Sequence, residues 1–427
     1  MKPIARLLIL SLALILPACA TTPTPVQTQR TEPAPETQAA STPTPTSTSE
    51  QPTSPMILTM WVAPRFSPAA DGPAAELLSE RLAAFEQEHG DVEIVVRVKP
   101  VTGQGSLIET LEAAIAAAPG ALPDLISLDP AGLYSAALKG WVVDLNALTP
   151  EVSNPTWFEH AAAASQIDGQ LFGIPFASQA DVFIYRNESY LQTPAAWDDL
   201  LNANATFLFP AGDRDAGLTL SYYVRLGGEL YNQDGRPTLD AATVATVLEF
   251  YATAQAADLL PVRAAELAST NDTWQDWFDG QSNSAVVPLS LALENYNPET
   301  VTASLIPAQS DSGFSLSKTW TWAVAATDPD HQSLVLELID WLSQPEFLGP
   351  WTRALNLIPP DPFALDQWPA DPQTVLIEQI AQAAFPYPNP EELATFGPAL
   401  YSAVQAVITS DLPPETAVEE ALQLLTP

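Results

Sequence analysis

Positive charge is scarce in this sequence: 15 Lys and Arg stand against 51 Asp and Glu, which gives a formal net charge of −36. Nucleic acids and anionic membrane surfaces are bound through clustered cations that replace released counterions. A chain this acidic is therefore predicted to bind neither, and most of its carboxylates are expected to be solvated. Its 427 residues exceed what one ordinary core needs, which predicts two domains.

Histidines and nucleophile motifs are equally sparse. His89, His160 and His331 are isolated in the sequence and show no metal-ligand spacing, and no G-x-S-x-G motif occurs. The pattern therefore predicts no cofactor and no metal site. Asp213 and Asp215 in DRDAG suggest either a calcium loop or an exposed turn. The many carboxylates leave a glycan-hydrolysing pair open as an alternative.

Cysteine occurs once, as Cys19, so no internal disulfide can form. Lys2 and Arg6 precede the apolar run 7–16, which has the length of a signal-peptide core and is too short to span a bilayer. The sequence LPAC at its end resembles the cleavage box of bacterial lipoproteins. This resemblance implies removal of residues 1–18 and a lipid on Cys19 that holds the exported protein at the outer face of the cytoplasmic membrane. A plain secretory signal is the alternative.

Residues 19–55 offer almost nothing to bury, as in TPTPVQTQ and STPTPTSTS. Such a composition cannot offset the entropy lost on ordering, so this segment is predicted to be a disordered tether. No later run is apolar and long enough to span a membrane, so anchoring would rest on Cys19.

Strand and helix patterns alternate after the tether, which indicates parallel strands with helices on both sheet faces. The first predicted strands are Met56–Val62, Val92–Val98 and 124–128. Ligands bind beyond the carboxyl ends of such strands, so Trp61, Arg65 and Asp129 are candidate ligand-binding residues. Each has a plainer alternative: Trp61 in the core, Arg65 as a solvated loop cation and Asp129 as a helix N-cap.

The stretch LFGIPFASQADVFIYRN (171–187) places two apolar strand patterns around the polar residues 177–181. Pro175 cannot donate a hydrogen bond to a strand ladder, so pairing is expected to break there. Gln179 and Asp181 would then face a gap between two cores and serve as hinge and ligand contacts. The alternative is an ordinary strand, turn and strand inside one core.

Further segments follow in an order that resembles the extracellular solute-binding proteins, the family that includes the maltodextrin-binding proteins of bacterial ABC importers. Matching segments are LTMWVAPRF, DLISLDPAGLYSAALKGWVVDLNAL, IDGQLFGIPFASQADVFIYRNE, WFDGQSNSAVVPLS and TWTWAVAATDPDHQSLVLELIDWLSQPEF. The resemblance implies an α/β fold of the two-lobed type II periplasmic-binding-protein class. Each lobe would be a mainly parallel sheet flanked by helices, hinged by crossing strands.

The same resemblance implies where the chain crosses between the lobes. Lobe 1 would contain 56–176 and the return segment 307–357. Lobe 2 would contain 177–306 and the C-terminal helices of 358–427.

Aromatic candidates come from the later segments. Trp320 aligns with a recurrent tryptophan of the family, and Tyr401 falls where relatives present an aromatic side chain to the cleft. Trp322 lies two residues beyond Trp320 on one predicted strand, so both would face one side. Aromatic faces bind sugar rings while carboxylates and amides bind the hydroxyls. The alternative is that both tryptophans fill the core between the lobes.

Together these features predict a monomeric receptor, not an enzyme, that binds a sugar or oligosaccharide in the inter-lobe cleft and delivers it to an ABC permease by hinge closure. Two alternatives remain open. A receptor for polyamines or another small solute would use the same fold, since carboxylates and ring faces also hold cations. A cell-surface glycan hydrolase would use a pair of the carboxylates.

Overall fold

A computed structural model describes residues 55–148, 156–295, 297–310 and 312–425. The predicted signal peptide 1–18, Cys19 and all but the last residue of the predicted tether lie outside the described residues. Among those that are described, no helix combines the length and the apolar character needed to cross a membrane. The described residues all belong to one compact unit.

The strands alternate with helices for most of the chain. The strands are β1 (Met56–Val62), β2 (Val92–Val98), β3 (Leu125–Leu128), β4 (Gln166–Ile167), β5 (Gln170–Leu171), β6 (Ile174–Arg186), β7 (Phe207–Leu208), β8 (Ser284–Pro288), β9 (Val301–Ser304), β10 (Ser315–Val324) and β11 (Ala384–Pro386). Short 3₁₀ helices occupy Pro64–Phe66, Pro119–Ala121, Asn187–Ser189 and Val262–Glu266.

The helices of the first half are α1 (Pro73–Glu88), α2 (Leu107–Ala117), α3 (Pro130–Leu138), α4 (Leu145–Leu148), α5 (Glu159–Ala164), α6 (Trp197–Asn202), α7 (Gly217–Arg225) and α8 (Ala241–Ala256). Those of the second half are α9 (Thr270–Phe278), α10 (Leu289–Glu294), α11 (Pro329–Leu342), α12 (Pro345–Ala354), α13 (Pro362–Leu365), α14 (Pro372–Gln382), α15 (Pro390–Ser410) and α16 (Pro414–Leu425).

One mixed sheet joins most of these strands, in the order β2-β1-β3-β10-β6-β8-β7, with β11 on β10 and β9 on β6. β1 runs parallel to β2 and β3, β7 to β8, and β11 to β10. β10 is antiparallel to β3 and β6, and β6 is antiparallel to β8 and β9. The predicted α/β class is confirmed, and the antiparallel pairs of this sheet all involve β6 or β10.

Two separate hydrophobic clusters form the core, and each defines one lobe. The first lobe packs β1, β3 and α1 around its cluster, and the second packs α7, α8, β8 and α15 around the other. β6 passes from the first cluster at Ala177 to the second at Ala180, and β10 passes back between Leu316 and Trp322. Separate cores joined by a few strands are what a hinged pair of lobes requires.

A third passage lies beside β6. Leu357 belongs to the first cluster and Ile358 to the second. The backbone of Ile358 exchanges two hydrogen bonds with Ser178 of β6, at 2.8 and 2.9 Å. The predicted boundary between 357 and 358 falls at this same point. The full set of predicted lobe boundaries stays a prediction.

The expected break in pairing at Pro175 is wrong, because β6 continues as one strand from Ile174 to Arg186. The polar residues remain in the ladder: Ser178 pairs with Thr319 of β10, and their hydroxyls lie 2.8 Å apart. Pro175 acts more locally than expected. The register with β10 shifts between Trp320 and Thr321, opposite Pro175, which is a bulge beside the missing donor.

Local capping follows the sequence closely. Ser106, Asp129 and Asp240 each accept a backbone N–H three residues on, from Glu109, Gly132 and Thr243. These caps begin α2, α3 and α8, and the one at Asp129 fixes the first turn of α3 at the boundary between the lobes.

Candidate functional site

A cavity of about 500 Å³ lies between the lobes and is called the aspartate cavity below. The first lobe contributes Thr102, Asp129, Pro130 and Ala131 to its lining. The side facing them includes Asp181, Asp213, Asp215, Ser269, Thr270, Asn271, Lys318 and Tyr387. Its volume falls in the usual range of small-molecule sites, about 300–1,000 Å³.

Asp181 lies on the part of β6 that belongs to the second lobe. Its side chain is buried, with the residue only 5% exposed. Thr270 donates its hydroxyl to Oδ1 at 3.1 Å. Burial raises the pKa of Asp181 above its usual value, the positive charge of Lys318 and the Thr270 hydrogen bond oppose this, and the charge of Asp213 adds to it. A buried carboxylate facing a cavity is well placed to accept hydrogen bonds from a solute.

Asp129 serves two purposes. It is the N-cap of α3, where Oδ1 accepts the Gly132 N–H at 2.9 Å, and its side chain also lines the cavity. A Cβ at Gly132 would come within 2.8 Å of that oxygen, so only glycine lets the cap form at this distance. Burial raises the pKa of Asp129, and the Gly132 hydrogen bond opposes the shift. Being an N-cap therefore does not exclude contact with a solute.

Asp213 and Asp215 lie in the turn that leads into α7. The carboxylate of Asp213 accepts the N–H groups of Asp215 and Gly217, at 3.0 and 3.1 Å, as an Asx turn does. Burial, followed by the charge of Asp213, raises the pKa of Asp215. The sequence pattern of this segment predicts a turn or a calcium loop and gives no sign that it faces a ligand. In the described part of the chain no group of three His, Cys, Asp or Glu side chains could hold a metal ion.

Lys318 provides the only positive charge among the described residues that line the aspartate cavity. It lies on β10 opposite Gln179, and its Nζ is 4.0 Å from the centre of the Tyr387 ring. Burial and then the nearby charges of Asp213, Asp181 and Asp215 raise the pKa of the Tyr387 hydroxyl. The cavity thus combines four aspartates, one lysine and one aromatic ring.

Arg65 lines a second cavity, of about 390 Å³, together with Glu294 of α10, and its side chain also contacts Gln179. The guanidinium donates to Oε1 of Gln179 at 3.5 Å and to the backbone oxygen of Leu355 at 2.5 Å. Desolvation lowers the pKa of Arg65, while the charge of Glu294 opposes that change. This region, the arginine cavity, holds both signs of charge.

The predicted tryptophans lie in or beside the core of the first lobe. Trp61 and Trp322 are buried, at 2% and 0% exposure, and neither indole N–H has a hydrogen-bond partner among the described residues. Trp320 is half-buried with its ring centre 5.0 Å from that of Phe66. Trp322 stacks on Phe176 at 4.1 Å. Ring contacts join five side chains into one aromatic cluster: Phe66, Phe176, Trp320, Trp322 and Trp351.

Both tryptophans of β10 therefore share one environment, as their spacing predicted, and that environment is the core of the first lobe. Tyr401 lies on α15, half-buried against the core of the second lobe, and lines neither of the two cavities described above. Of the predicted residues, the structure brings Asp129 and Asp181 to the aspartate cavity and Arg65 to the arginine cavity. Gln179 accepts a hydrogen bond from Arg65 but lines neither cavity.

Comparison with protein families matches residues 80–375, more than half of the chain, to a family described as bacterial extracellular solute-binding protein. A search of curated protein sequences found no match. Solved structures with a similar fold are numerous.

Three of these structures illustrate the similarity. Maltose-bound MalE3 of T. maritima is 17% identical with a TM-score of 0.65, over 87% of this chain and 99% of that one. The cyclic α-maltosyl-1,6-maltose binding protein from Arthrobacter globiformis is 17% identical with a TM-score of 0.70, over 87% and 98%. The sugar-binding protein MalE from Xanthomonas citri is 18% identical with a TM-score of 0.68, over 87% and 96%. At these identities the likeness establishes the two-lobed fold.

Proposed function

Because the chain belongs to the family of bacterial extracellular solute-binding proteins, we propose that it is the receptor of an ABC importer. In this proposal it binds a sugar or oligosaccharide in the aspartate cavity and delivers the solute to a membrane permease by closure of the lobes. Its family and its structural neighbours are binding proteins rather than enzymes.

The observation that carries the proposal is the two-sided lining of the aspartate cavity. Asp129 comes from the first lobe and Asp181 with Thr270 from the second, while β6 and β10 join the lobes. A solute in this position contacts both lobes only when they approach each other. Its binding free energy would therefore shift the population toward the closed form, which is the form that a permease could distinguish.

A saccharide suits the groups present. Carboxylates such as Asp129 and Asp181 accept hydrogen bonds from hydroxyls, Asn271 can both donate and accept, and Tyr387 offers a ring face. Maltose and a cyclic maltosyl-maltose are bound by two of the structural neighbours. These facts support a neutral or weakly charged sugar as the first class of solute to test.

The remaining predicted contacts belong to the same proposal. Arg65 and Gln179 would extend the site toward the arginine cavity, and the half-buried Trp320 and Tyr401 are the proposed contacts of a longer solute. Trp61 and Trp322 would contact it only after the packing of the first lobe opened.

Lipid attachment at Cys19 is the proposed anchor. Together with the segment that follows, it would hold a monomeric receptor at the outer face of the cytoplasmic membrane, within reach of the permease. The test is mass spectrometry of the mature N-terminus in wild type and Cys19→Ser. Unmodified protein released from the membrane in both would contradict the anchor.

A polyamine receptor is the second candidate, favoured by the excess of aspartates in the cavity. A thermal-shift panel of neutral sugars, polyamines and amino acids on the purified full chain separates the two, because bound solute raises the unfolding temperature. We expect a sugar to give the shift, and for a neutral sugar added salt should change it little, whereas polyamine binding would weaken steeply with salt and need no sugar ring.

Two controls sharpen this experiment. Trp320→Ala should reduce the shift given by longer sugars, and an unchanged response to every hit would contradict the role of Trp320. Product formed from chromogenic glycosides by the pure protein would favour the hydrolase instead of the receptor.

A further inference from the structure

The aspartate cavity carries more negative charge than a neutral sugar requires. Its lining holds four aspartates, Asp129, Asp181, Asp213 and Asp215, against the single Lys318. We propose that the solute is an amine-bearing saccharide whose ammonium group binds beside Asp181 and Asp215. This inference rests on the proposed function, which it narrows from sugars in general to cationic sugars.

The burial and hydrogen bonding of Asp181 support the proposal independently of the total charge. It is 5% exposed, and only one of its carboxylate oxygens has a hydrogen-bond partner among the described residues, the hydroxyl of Thr270. The other oxygen is not among the fully buried atoms that lack a partner, so it keeps accessible surface and can still accept a hydrogen bond. The side chain lines the cavity, so a donor carried by the solute would satisfy it.

Lys318 does not fill that role. Its ammonium lies over the ring of Tyr387, and the structure records no ion pair between Lys318 and an aspartate within the described ranges. The lysine therefore lowers the negative potential of the cavity without occupying the free oxygen of Asp181. A second cation can enter beside it.

The turn 213–215 presents charge in a fixed position. Asp213 uses both oxygens to accept the N–H groups of Asp215 and Gly217, which holds the turn in place. The side chain of Asp215 makes no hydrogen bond in the described structure and lines the cavity. Burial raises the pKa of both Asp181 and Asp215, and an ammonium beside them would lower it again, so binding should weaken as the pH falls.

Hydroxyl and amide groups on the same wall favour a saccharide over a linear polyamine. Ser269, Thr270 and Asn271 lie in sequence along the second lobe, and Thr102 faces them from the first. Ser269 and Thr270 already donate their hydroxyl protons to Asp272 and Asp181, whereas Thr102 and Asn271 can still donate to a solute. Ring hydroxyls can accept from them, but the protonated amines of a linear polyamine cannot. The charge and the hydroxyl partners together indicate a sugar that carries at least one free amine.

The test compares sugars of the same shape that differ in charge. Glucosamine, N-acetylglucosamine and glucose form one set, and the β-1,4 disaccharides of glucosamine, of N-acetylglucosamine and of glucose form another. Isothermal titration on the full chain should show an amine-bearing member binding at least about tenfold more tightly than its neutral partners, with affinity falling as salt rises from about 0.05 to 0.5 M.

Asp215→Asn should lower the affinity for the amine-bearing sugar about tenfold and lower that for a neutral sugar of the same shape clearly less. The matched control is Asp258→Asn, which removes the same charge at an exposed turn after α8 and should change neither. Asparagine tolerates the left-handed backbone found at Asp258, where φ is 59°.

The outcomes separate this inference from the proposed function. Neutral sugars that bind as tightly as their amine-bearing partners would overturn the inference and leave the sugar receptor standing. Binding of spermidine with no response to any sugar would overturn both. Binding of the amine-bearing sugar that is indifferent to Asp215→Asn would overturn the assigned position of the ammonium group.

Discussion

One strand, β10, carries two contrasting regions of the molecule. Trp320 and Trp322 belong to the aromatic cluster in the first lobe, while Lys318, two residues before Trp320, lines the aspartate cavity. The cluster contains stacked rings and a tryptophan that is fully buried. The cavity contains charged groups whose hydrogen-bonding capacity is partly unused.

The difference shows how a binding protein divides its residues between stability and recognition. Large rings gain most when removed from water, so they stabilise the lobe. Aspartates keep their charge only where water or a solute can reach them, which leaves them on the cavity wall. The tryptophans, which are the side chains most suited to stacking on a sugar ring, are thus packed in or beside the core of the first lobe. Charged residues line the space between the lobes instead.

Trp322→Ala tests the aromatic cluster and should have the largest effect. It removes a fully buried ring stacked on Phe176, which typically costs about 3–5 kcal/mol of unfolding free energy. Denaturant titration measures the loss. Trp320→Ala is the control at the half-buried neighbour and should cost clearly less. Equal losses at both positions would mean that the two rings contribute alike to the core.

Gly217→Ala connects the α7 turn to the cavity. A Cβ at Gly217 would collide with the Tyr387 ring, so the ring must move, at a cost of about 1–3 kcal/mol. We expect lower stability and weaker solute binding together, measured by denaturant titration and calorimetry. Gly90→Ala is the control, because its Cβ would meet nothing within 4 Å. A stable Gly217→Ala variant with normal binding would show that the position of Tyr387 does not matter.

Tyr134→Phe tests a contact that joins the lobes beside the cavity. The hydroxyl of Tyr134 on α3 donates to Glu391 on α15 at 2.5 Å, and this hydrogen bond raises the pKa of Tyr134 to about 12. Losing this hydrogen bond should destabilise the arrangement in which the two lobes are in contact by about 1 kcal/mol. Small-angle scattering should then show a larger radius without solute. Glu391→Gln, which keeps an acceptor, should show less change; identical profiles for wild type and Tyr134→Phe would refute the contact's role.

Asp181→Asn should have the smallest effect and the opposite sign. Because the pKa of Asp181 is raised in the folded state, its charged carboxylate destabilises the folded protein at any pH above that pKa. Below the pKa of the unfolded state, about 3.9, the group is neutral in both states and the destabilisation is absent. The variant should therefore melt about 2 °C higher than wild type near pH 7, with the difference vanishing toward pH 3. The carbonyl oxygen of the introduced amide can still accept the hydrogen bond from Thr270. A gain that persists at pH 3, or one matched by Asp258→Asn, would contradict the desolvation argument.

Local chemistry made much of the fold predictable. Val92–Val98 is the strand that its alternation indicated, and Ser106, Asp129 and Asp240 cap the helices that follow them. Caps depend on residues three positions apart, so the sequence alone contains the necessary information. The bulge opposite Pro175 was foreseeable for the same reason, although the continuous strand around it was not.

Half of the candidate site was foreseeable in a similar way. Asp129 follows a predicted strand, and Asp181 lies where a crossing was expected. Lys318 and Tyr387 gave no local signal, because each becomes part of the cavity only when β10 and the segment after β11 come together. Asp213 and Asp215 had a visible turn motif, but nothing in it indicated that the turn faces the other lobe.

The sequence by itself determined the acidic character of this protein, the alternation of strands and helices, and the caps that begin many of the helices, because each depends on composition or on neighbours within a few residues. Only the tertiary structure decided that the tryptophans of β10 pack in the first lobe while Lys318 lines one cavity with four aspartates. The physical reason is distance along the chain. Asp129, Asp181, Asp215 and Lys318 share one electrostatic environment only after the chain has crossed between two cores, and no local pattern encodes that meeting.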